Sequence, residues 1–181
     1  IWEGEEFGGF TDERAEWQVS QLAEMEARQA AEKGQQPDLG SKAIVMMGNP
    51  GSGKTYLIGD QLNQHIDTHE YLTISADDIK KNLIYNDTPP DIEGVDGMEL
   101  ATMVHEESST MRKVWEKNAM RDGKNIIFDI TGANEKKTIG LLQNLGDLGY
   151  DIGLVHADVT PMESAASAVR RAVVGGDPET G

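Results

Sequence analysis

The chain has 181 residues, enough for one domain with a buried core. Hydrophobic residues make up 38% of it, and the longest apolar runs are far too short to span a bilayer. The 32 acidic and 16 basic residues give a formal charge of −16, which repels nucleic-acid backbones, and no cysteine is present for disulfides or thiolate metal sites. We therefore expect a cytoplasmic protein whose partners include neither a membrane nor a nucleic-acid polymer.

A helix is predicted near the start of the chain, after an acidic, glycine-containing stretch over residues 1–10. Thr11 is a suitable N-cap, acidic residues follow it in the first turn, and the helical pattern continues to about residue 33. The apolar residues at helical spacing predict a face that packs in the core: Ala15, Trp17, Val19, Leu22 and Met25.

Beyond this helix, strand and helix patterns alternate. Apolar runs predict strands at 43–47, 71–75, 125–130 and 152–157, and amphipathic patterns predict helices at 53–65, 77–84, 98–121, 135–148 and 161–172. Repeated units of this kind predict an α/β fold with a parallel sheet, right-handed crossovers and helices on both faces. Trp115, on the long helix, is expected to pack in the core.

The strongest motif follows the first strand and matches G-x-x-x-x-G-K-[ST] in full: Gly48, Asn49, Pro50, Gly51, Ser52, Gly53, Lys54 and Thr55. The glycines allow backbone N–H groups to turn toward a polyphosphate, and the helix that follows adds a positive dipole end. Lys54 would reach the β and γ phosphate oxygens, and the Thr55 hydroxyl would bind Mg²⁺. An ordinary glycine-rich turn is the alternative. Because motif and context agree, this phosphate loop predicts a site for ATP and Mg²⁺.

The remaining sequence favours a kinase among the P-loop proteins. It lacks the Asn-Lys-x-Asp motif that reads guanine, and it is short for a motor ATPase. Asp77 follows the second strand, at the edge of a parallel sheet where ligands bind, and could accept the proton of an attacking hydroxyl. The alternative is that Asp77 or Asp78 only caps the next helix.

Taken together, these segments resemble the zeta toxin family, the toxins of bacterial epsilon/zeta toxin–antitoxin systems. The resemblance runs over about residues 10–181 and includes the phosphate loop, Asp77–Lys80, His105–Ser109 and Asn125–Gly132. It implies a three-layer α/β kinase of the P-loop NTPase type that phosphorylates the 3′-hydroxyl of UDP-N-acetylglucosamine. It also implies an antitoxin partner.

Carried over by position, the resemblance makes Asp77 the general base and Lys80 a basic substrate-binding residue. The family's Glu-Gly-Thr-Gly appears here as Asp129-Ile130-Thr131-Gly132, so Asp129 and Thr131 would face the sugar. A carboxylate that closes an apolar strand also resembles the Walker B position, where Asp129 would hold a Mg²⁺-bound water. A helix cap is the alternative for Asp129.

Further site residues are expected on two helices. Arg170 or Arg171 would neutralise charge on the transferring phosphoryl group, with solvated helix arginines as the alternative. Glu107 or Ser108 would face the substrate, against a plain polar face. Ala133 stands where many members have Arg, and Asp129 is shorter than their Glu; both departures bear on which sugar nucleotide binds.

The boundaries and the alternative functions follow from these assignments. Residues 1–40 would form the lead-in and first helix, and residues 41–181 a P-loop kinase domain. The chain lacks an initiator Met and ends on a glycine-rich turn, so we expect a C-terminally truncated piece of a longer protein. Two other functions stay open: a kinase of another small molecule, such as an antibiotic or a nucleotide, and a non-catalytic nucleotide-binding module.

Overall fold

The structure, a computed structural model, describes residues 10–49, 51–87, 104–160, 162, 163 and 165–167, without the side chains of Thr55 and Asp60. In chain order its main elements are α1 (Asp12–Lys33), β1 (Lys42–Met47), α2 (Lys54–Tyr56), β2 (Leu72–Ser75), α3 (Ala76–Asn86), α4 (His105–Arg121), β3 (Ile126–Ile130), α5 (Glu135–Asp147) and β4 (Asp151–His156). Each of the four predicted strands is present within one residue of its expected bounds. Among the described residues, no helix is long and apolar enough to cross a membrane.

The strands form one four-stranded sheet in the order β2-β3-β1-β4. β1 and β4 run parallel, in a register that pairs Lys42 with Asp151 and Met47 with His156. The chain therefore crosses over between non-adjacent strands, as parallel α/β sheets do. The predicted α/β fold with a parallel sheet is confirmed.

The helix predicted over 53–65 is less regular than expected. The α-helical part is Lys54–Tyr56, a π-helical stretch follows at Leu57–Gln61, and a 3₁₀ turn at Leu62–Gln64 ends it. Gly59 and Asn63 are weak helix formers within this segment, which explains why a regular ladder does not persist. Predicted helix residues 98–103, 161, 164 and 168–172 lie outside the described part of the chain.

The chain divides into two compact units. The first comprises residues 1–41 and 69–126 and holds α1, β2, α3 and α4, and the second comprises residues 42–68 and 127–181 and holds β1, α2, most of β3, α5 and β4. Large apolar side chains fill the first unit, with the following fully buried: Leu22, Met25, Leu72, Ile74, Ile79, Leu83, Met111 and Trp115. The predicted core position of Trp115 is thus confirmed.

α1 begins and ends where its caps predict. Thr11 Oγ1 accepts a hydrogen bond from the Arg14 N–H at 3.3 Å, and Gly34 ends the helix in the left-handed region with φ 75°. Left-handed φ values are unfavourable for residues with a Cβ, so glycine is the suitable C-cap here.

The buried face of α1 differs from the predicted one. It contains Ala15, Leu22 and Met25 but also the amides Gln18 and Gln21, whereas Trp17 is only half-buried. The prediction that Trp17 packs in the core is therefore wrong. Gln21 can be buried because its Oε1 accepts hydrogen bonds from the Nδ2 groups of Asn82 at 2.8 Å and Asn86 at 2.9 Å.

The second unit has its core around β1. Ala43–Met46 are all buried, and Ile127 and Phe128 of β3 have no exposed surface. β4 lies at one edge of the sheet and alternates weakly between half-buried and exposed residues, with Leu154 56% exposed. The carboxyl end of β1 leads directly into the phosphate loop.

Candidate functional site

The phosphate loop has a backbone that requires glycine. Gly51 and Gly53 have φ values of 83° and 80°, in the left-handed region that disfavours a Cβ. A Cβ on Gly48 would lie 2.5 Å from Ser52 Oγ and 2.9 Å from Ala157 Cβ, so a side chain there would force the loop to shift. These three glycines let the chain turn tightly between β1 and α2.

Ser52, inside this loop, has a buried hydroxyl without a partner. Its Oγ makes no hydrogen bond among the described residues, although the side chain is only 7% exposed. A buried polar group without a partner costs about 1–3 kcal/mol, and such groups in native proteins commonly meet a ligand or an ion. A phosphate oxygen would satisfy this hydroxyl, so the loop fits the polyphosphate that the sequence predicts.

Lys54 turns back onto its own loop. Its Nζ donates to the Gly48 carbonyl at 2.7 Å and lies 3.4 Å from the Asn49 carbonyl oxygen. It is also 3.7 Å from Asp129 Oδ1, and both side chains are largely buried. The ammonium group is therefore held at the mouth of the loop, with a carboxylate from the end of β3 beside it.

The segment after β3 lies against the end of β1. A Cβ on Gly132, whose φ is 71°, would be 3.3 Å from Met47 Cβ. Asn134 is the N-cap of α5 and accepts from the Lys137 N–H at 3.0 Å, so the reading of Asp129 as a helix cap is wrong. Thr131 is exposed, with its Oγ1 3.4 Å from the Ala133 nitrogen.

In the first unit, Asp77 and Asp78 differ in their surroundings. Asp77 has a side chain that is 83% exposed and lies 3.6 Å from Lys80 Nζ. Asp78 lines a polar cleft of about 520 Å³ together with Arg28 and Lys81, and desolvation by burial raises the pKa of its carboxyl. The N-cap of α3 is Ser75, so neither aspartate occupies the cap position itself. Asp77 is the more exposed of the two residues.

Glu107 and Ser108 lie in the first turn of α4 but have different roles. Ser108 is fully buried, and its hydroxyl donates to the His105 carbonyl at 2.9 Å. Glu107 is 14% exposed and is held by Arg14 and Gln18 of α1. Of the two residues, Glu107 is the one with surface for a ligand.

Some predicted site residues lie outside what the structure describes: Pro50, Arg170, Arg171 and the side chain of Thr55. Within the described residues, no three histidine or acidic side chains cluster as a metal site. Mg²⁺ characteristically keeps waters and phosphate oxygens with only one or two protein ligands. Thr55 and Asp129 thus stay the predicted pair of magnesium-facing residues.

The contacts of Arg14 and Gln18 with Glu107 were not predicted, because these residues are remote in sequence. Arg14 and Glu107 are 93 positions apart, a separation that no local pattern reports. The available signal was the spacing of Arg14 and Trp17, which places the guanidinium 4.2 Å from the ring centroid.

The four-stranded sheet and the phosphate loop define an α/β protein with a P-loop kinase-like fold. The family model described as Zeta toxin matches residues 21–179. The match covers most of the chain, and the chain belongs to the Zeta toxin family. No curated protein matches it.

Three solved structures are similar in fold. A chain of the PezAT chromosomal toxin–antitoxin system of Streptococcus pneumoniae has a TM-score of 0.63 at 19% identity, over 90% of this chain and 64% of its own. The AvrRxo1-ORF1:AvrRxo1-ORF2 complex with ATP has a TM-score of 0.66 at 18% identity, over 95% and 52%. A candidate kinase from Chloroflexus aurantiacus has a TM-score of 0.55 at 16% identity, over 77% and 71%.

These identities support a shared fold. The chain spans 64% of the PezAT chain and about half of the AvrRxo1 chain. The family match shows the family to which the chain belongs, and the solved structures add the shared fold.

Proposed function

We propose that the chain is a zeta-toxin-like kinase that transfers the γ-phosphate of ATP to the 3′-hydroxyl of UDP-N-acetylglucosamine. The observation that carries the proposal is the phosphate loop, with its buried Ser52 hydroxyl and with Lys54 beside Asp129. The similar AvrRxo1 complex was solved with ATP, which supports the same nucleotide here.

On binding ATP, Lys54 would exchange the Gly48 carbonyl for phosphate oxygens, and Ser52 would gain its missing partner. Asp129 would stay close to Lys54 and hold a Mg²⁺-bound water, while Thr55 would bind the ion directly. The ion supplies charge neutralisation between the β and γ phosphates. These residues bind and orient the phosphate groups.

The transfer needs one base. Asp77 would accept the proton of the acceptor hydroxyl as that oxygen forms a bond to the γ-phosphorus, while the bond from phosphorus to the ADP oxygen breaks. Arg170 or Arg171 would offset the negative charge that develops on the phosphoryl group. The products are ADP and the phosphorylated acceptor, and the proton of the acceptor hydroxyl ends on Asp77.

The acceptor would be recognised by polar and basic groups from several elements. Asp129 and Thr131 offer partners for sugar hydroxyls and the N-acetyl amide, and Lys80 offers positive charge for the diphosphate. A site that satisfies buried polar groups through such contacts rejects an acceptor that lacks them. UDP-glucose, which has no N-acetyl group, should therefore be a poor substrate.

A kinase of another small hydroxyl compound is the second candidate. Ala133 and the shortened Asp129, both departures from the family pattern, favour this alternative. Because the PezAT and AvrRxo1 structures are two-component complexes, we also propose an antitoxin-like protein partner for this chain.

The test is incubation with γ-labelled ATP and a panel of acceptors, separated by thin-layer chromatography. The panel contains UDP-N-acetylglucosamine, UDP-glucose, nucleosides and aminoglycosides. We expect label on UDP-N-acetylglucosamine and little on UDP-glucose. Label on a different class of acceptor would establish the second candidate, and ATP binding without transfer to any acceptor would support a nucleotide-binding module.

A further inference from the structure

A single arginine on α1 joins two carboxylates from different helices. Arg14 Nε donates to Glu107 Oε1 at 2.7 Å and Nη2 to Glu107 Oε2 at 2.9 Å. The same guanidinium donates to Asp87 Oδ1 at 2.8 Å and Oδ2 at 2.6 Å. Asp87 is the C-cap of α3 and Glu107 lies in the first turn of α4, so Arg14 orients both acids.

The arginine itself is held in one orientation. Its guanidinium lies over Trp17, and its hydrogen bonds to the two acids raise its pKa and keep it charged. Trp17 is half-buried because one face of its ring packs against this charge. A rigid guanidinium fixes the carboxylates more strictly than a lysine would.

The hydrogen bonds to Glu107 limit how many more its carboxylate can accept. A carboxylate accepts about four hydrogen bonds. Oε1 receives Arg14 Nε and Gln18 Nε2, while Oε2 receives only Arg14 Nη2 among the residues that the structure describes. With respect to those residues, one acceptor position on Oε2 is open, on a side chain that is 14% exposed.

The link from Glu107 of α4 to the end of α3 indicates which part of an acceptor Glu107 can contact. Asp77 and Asp87 are ten residues apart on this helix, about 15 Å at the α-helical rise. Glu107 is joined through Arg14 to the Asp87 end, far from the carboxylate proposed as the base. A group bound there belongs to the part of the acceptor away from the reacting hydroxyl.

We propose that Arg14 is a positioning residue that, with Gln18, holds the Glu107 carboxylate to accept one hydrogen bond from the nucleoside end of the acceptor. A ribose hydroxyl or an imide N–H of a pyrimidine is a suitable donor. The inference rests on the proposed function and adds a specificity determinant to it. Arg14 and Gln18 precede residues 21–179, which the family model matches.

The test compares steady-state constants of Arg14→Gln, Arg14→Lys and Glu107→Gln with wild type. For UDP-N-acetylglucosamine we expect KM to rise about 10- to 100-fold in Arg14→Gln and Glu107→Gln, because a hydrogen bond to a charged group is lost. The KM for ATP should not change. The acceptor KM of Arg14→Lys should stay close to that of Arg14→Gln, since one ammonium cannot make the paired contacts of the guanidinium.

A truncated acceptor distinguishes a loss of nucleoside recognition from a loss of protein stability. With N-acetylglucosamine 1-phosphate, which has no nucleoside, wild type and Arg14→Gln should have the same KM. Arg112→Gln is the matched arginine control, because it breaks an ion pair with the largely buried Glu116 on the same helix. Asp87→Asn removes the charge of the link to α3 and one of its two acceptor oxygens. It should leave the acceptor KM within about twofold, while urea unfolding measures its effect on stability.

Each outcome decides between the two proposals. An unchanged acceptor KM in Arg14→Gln, or an equal rise with the truncated acceptor, overturns the positioning role while the kinase assignment stands. If wild type phosphorylates a different nucleoside-containing acceptor, UDP-N-acetylglucosamine is rejected and the same comparison is made with that acceptor. If nothing in the panel is phosphorylated or bound, the positioning role is rejected as well.

Discussion

At the residue scale, Lys54 has two competing sets of partners. In the structure its ammonium binds loop carbonyls and lies near Asp129, and in the proposed complex it binds phosphate. The first set keeps the charge in place at the mouth of the loop before a nucleotide arrives. Preorganised charge of this kind reduces the rearrangement needed at the moment of reaction.

We expect Lys54→Ala to abolish ATP turnover and to leave the fold intact, because the ammonium contacts loop carbonyls rather than apolar core. ADP release measures turnover, and circular dichroism with urea unfolding checks the fold. Lys136→Ala, at an exposed position of α5, is the matched control and should keep the wild-type rate. Turnover near the wild-type rate in Lys54→Ala would contradict the phosphate-loop assignment.

For Asp77→Asn we expect kcat to fall about 10²- to 10⁴-fold with ATP affinity unchanged, because an amide keeps the shape but cannot take a proton. Acceptor kinetics give kcat, and calorimetry gives the ATP affinity. Asp78→Asn is the comparison variant, since that carboxyl lines the cleft with Arg28 and Lys81 and should keep kcat within a few-fold. A large loss confined to Asp78→Asn would move the base to the other carboxylate.

At the element scale, α1 covers the outer edge of β2. Gln29 Nε2 donates to the Thr73 carbonyl at 2.7 Å, and the Thr73 N–H donates to Gln29 Oε1 at 3.0 Å. Lys33 Nζ adds a bond to the Tyr71 carbonyl at 2.6 Å. Exposed strand edges can pair with other chains, and here side chains occupy the groups that would pair.

Gln29→Ala should lower the free energy of unfolding by about 1–2 kcal/mol, because it removes two hydrogen bonds from partly buried backbone groups. Urea unfolding measures the change. Gln143→Ala, on the exposed face of α5, is the matched control and should be nearly neutral. If both variants change stability equally, water satisfies the β2 edge as well as Gln29 does.

At the scale of the whole molecule, charge is the dominant feature. The formal charge of −16 on 181 residues destabilises the compact state through self-repulsion. Salt screens this repulsion, with a Debye length of about 30 Å at 0.01 M and 8 Å at 0.15 M. Salt also weakens exposed attractive pairs such as Arg14–Asp87, so the two effects oppose each other.

We expect Tm to rise between about 10 mM and 150 mM NaCl. The repulsion among the excess acidic residues should exceed the attraction within the exposed ion pairs, so screening both should stabilise the fold. Scanning calorimetry measures the shift. KCl at the same ionic strength is the control and should act equally if the effect is screening. A Tm that falls with salt would show that the ion pairs outweigh the net repulsion.

Much of the fold and one half of the site could be predicted because their signals are local. The phosphate loop is eight consecutive residues, and its glycines are required by the backbone of those same residues. The strands were predictable because each is a short apolar run between turn residues. Thr11 and Gly34 mark the ends of α1 through caps that depend only on near neighbours.

Only the tertiary structure decided the contacts between distant segments. It buried Gln18 and Gln21 on α1, left Trp17 half-exposed, and gave Glu107 a partner 93 residues away. Periodicity identifies a helical face by its apolar residues, but a buried amide is stable wherever another segment supplies its hydrogen bonds. The sequence by itself therefore determined the elements and the phosphate loop, and the packing of α1 against α3 and α4 determined which polar side chains are buried.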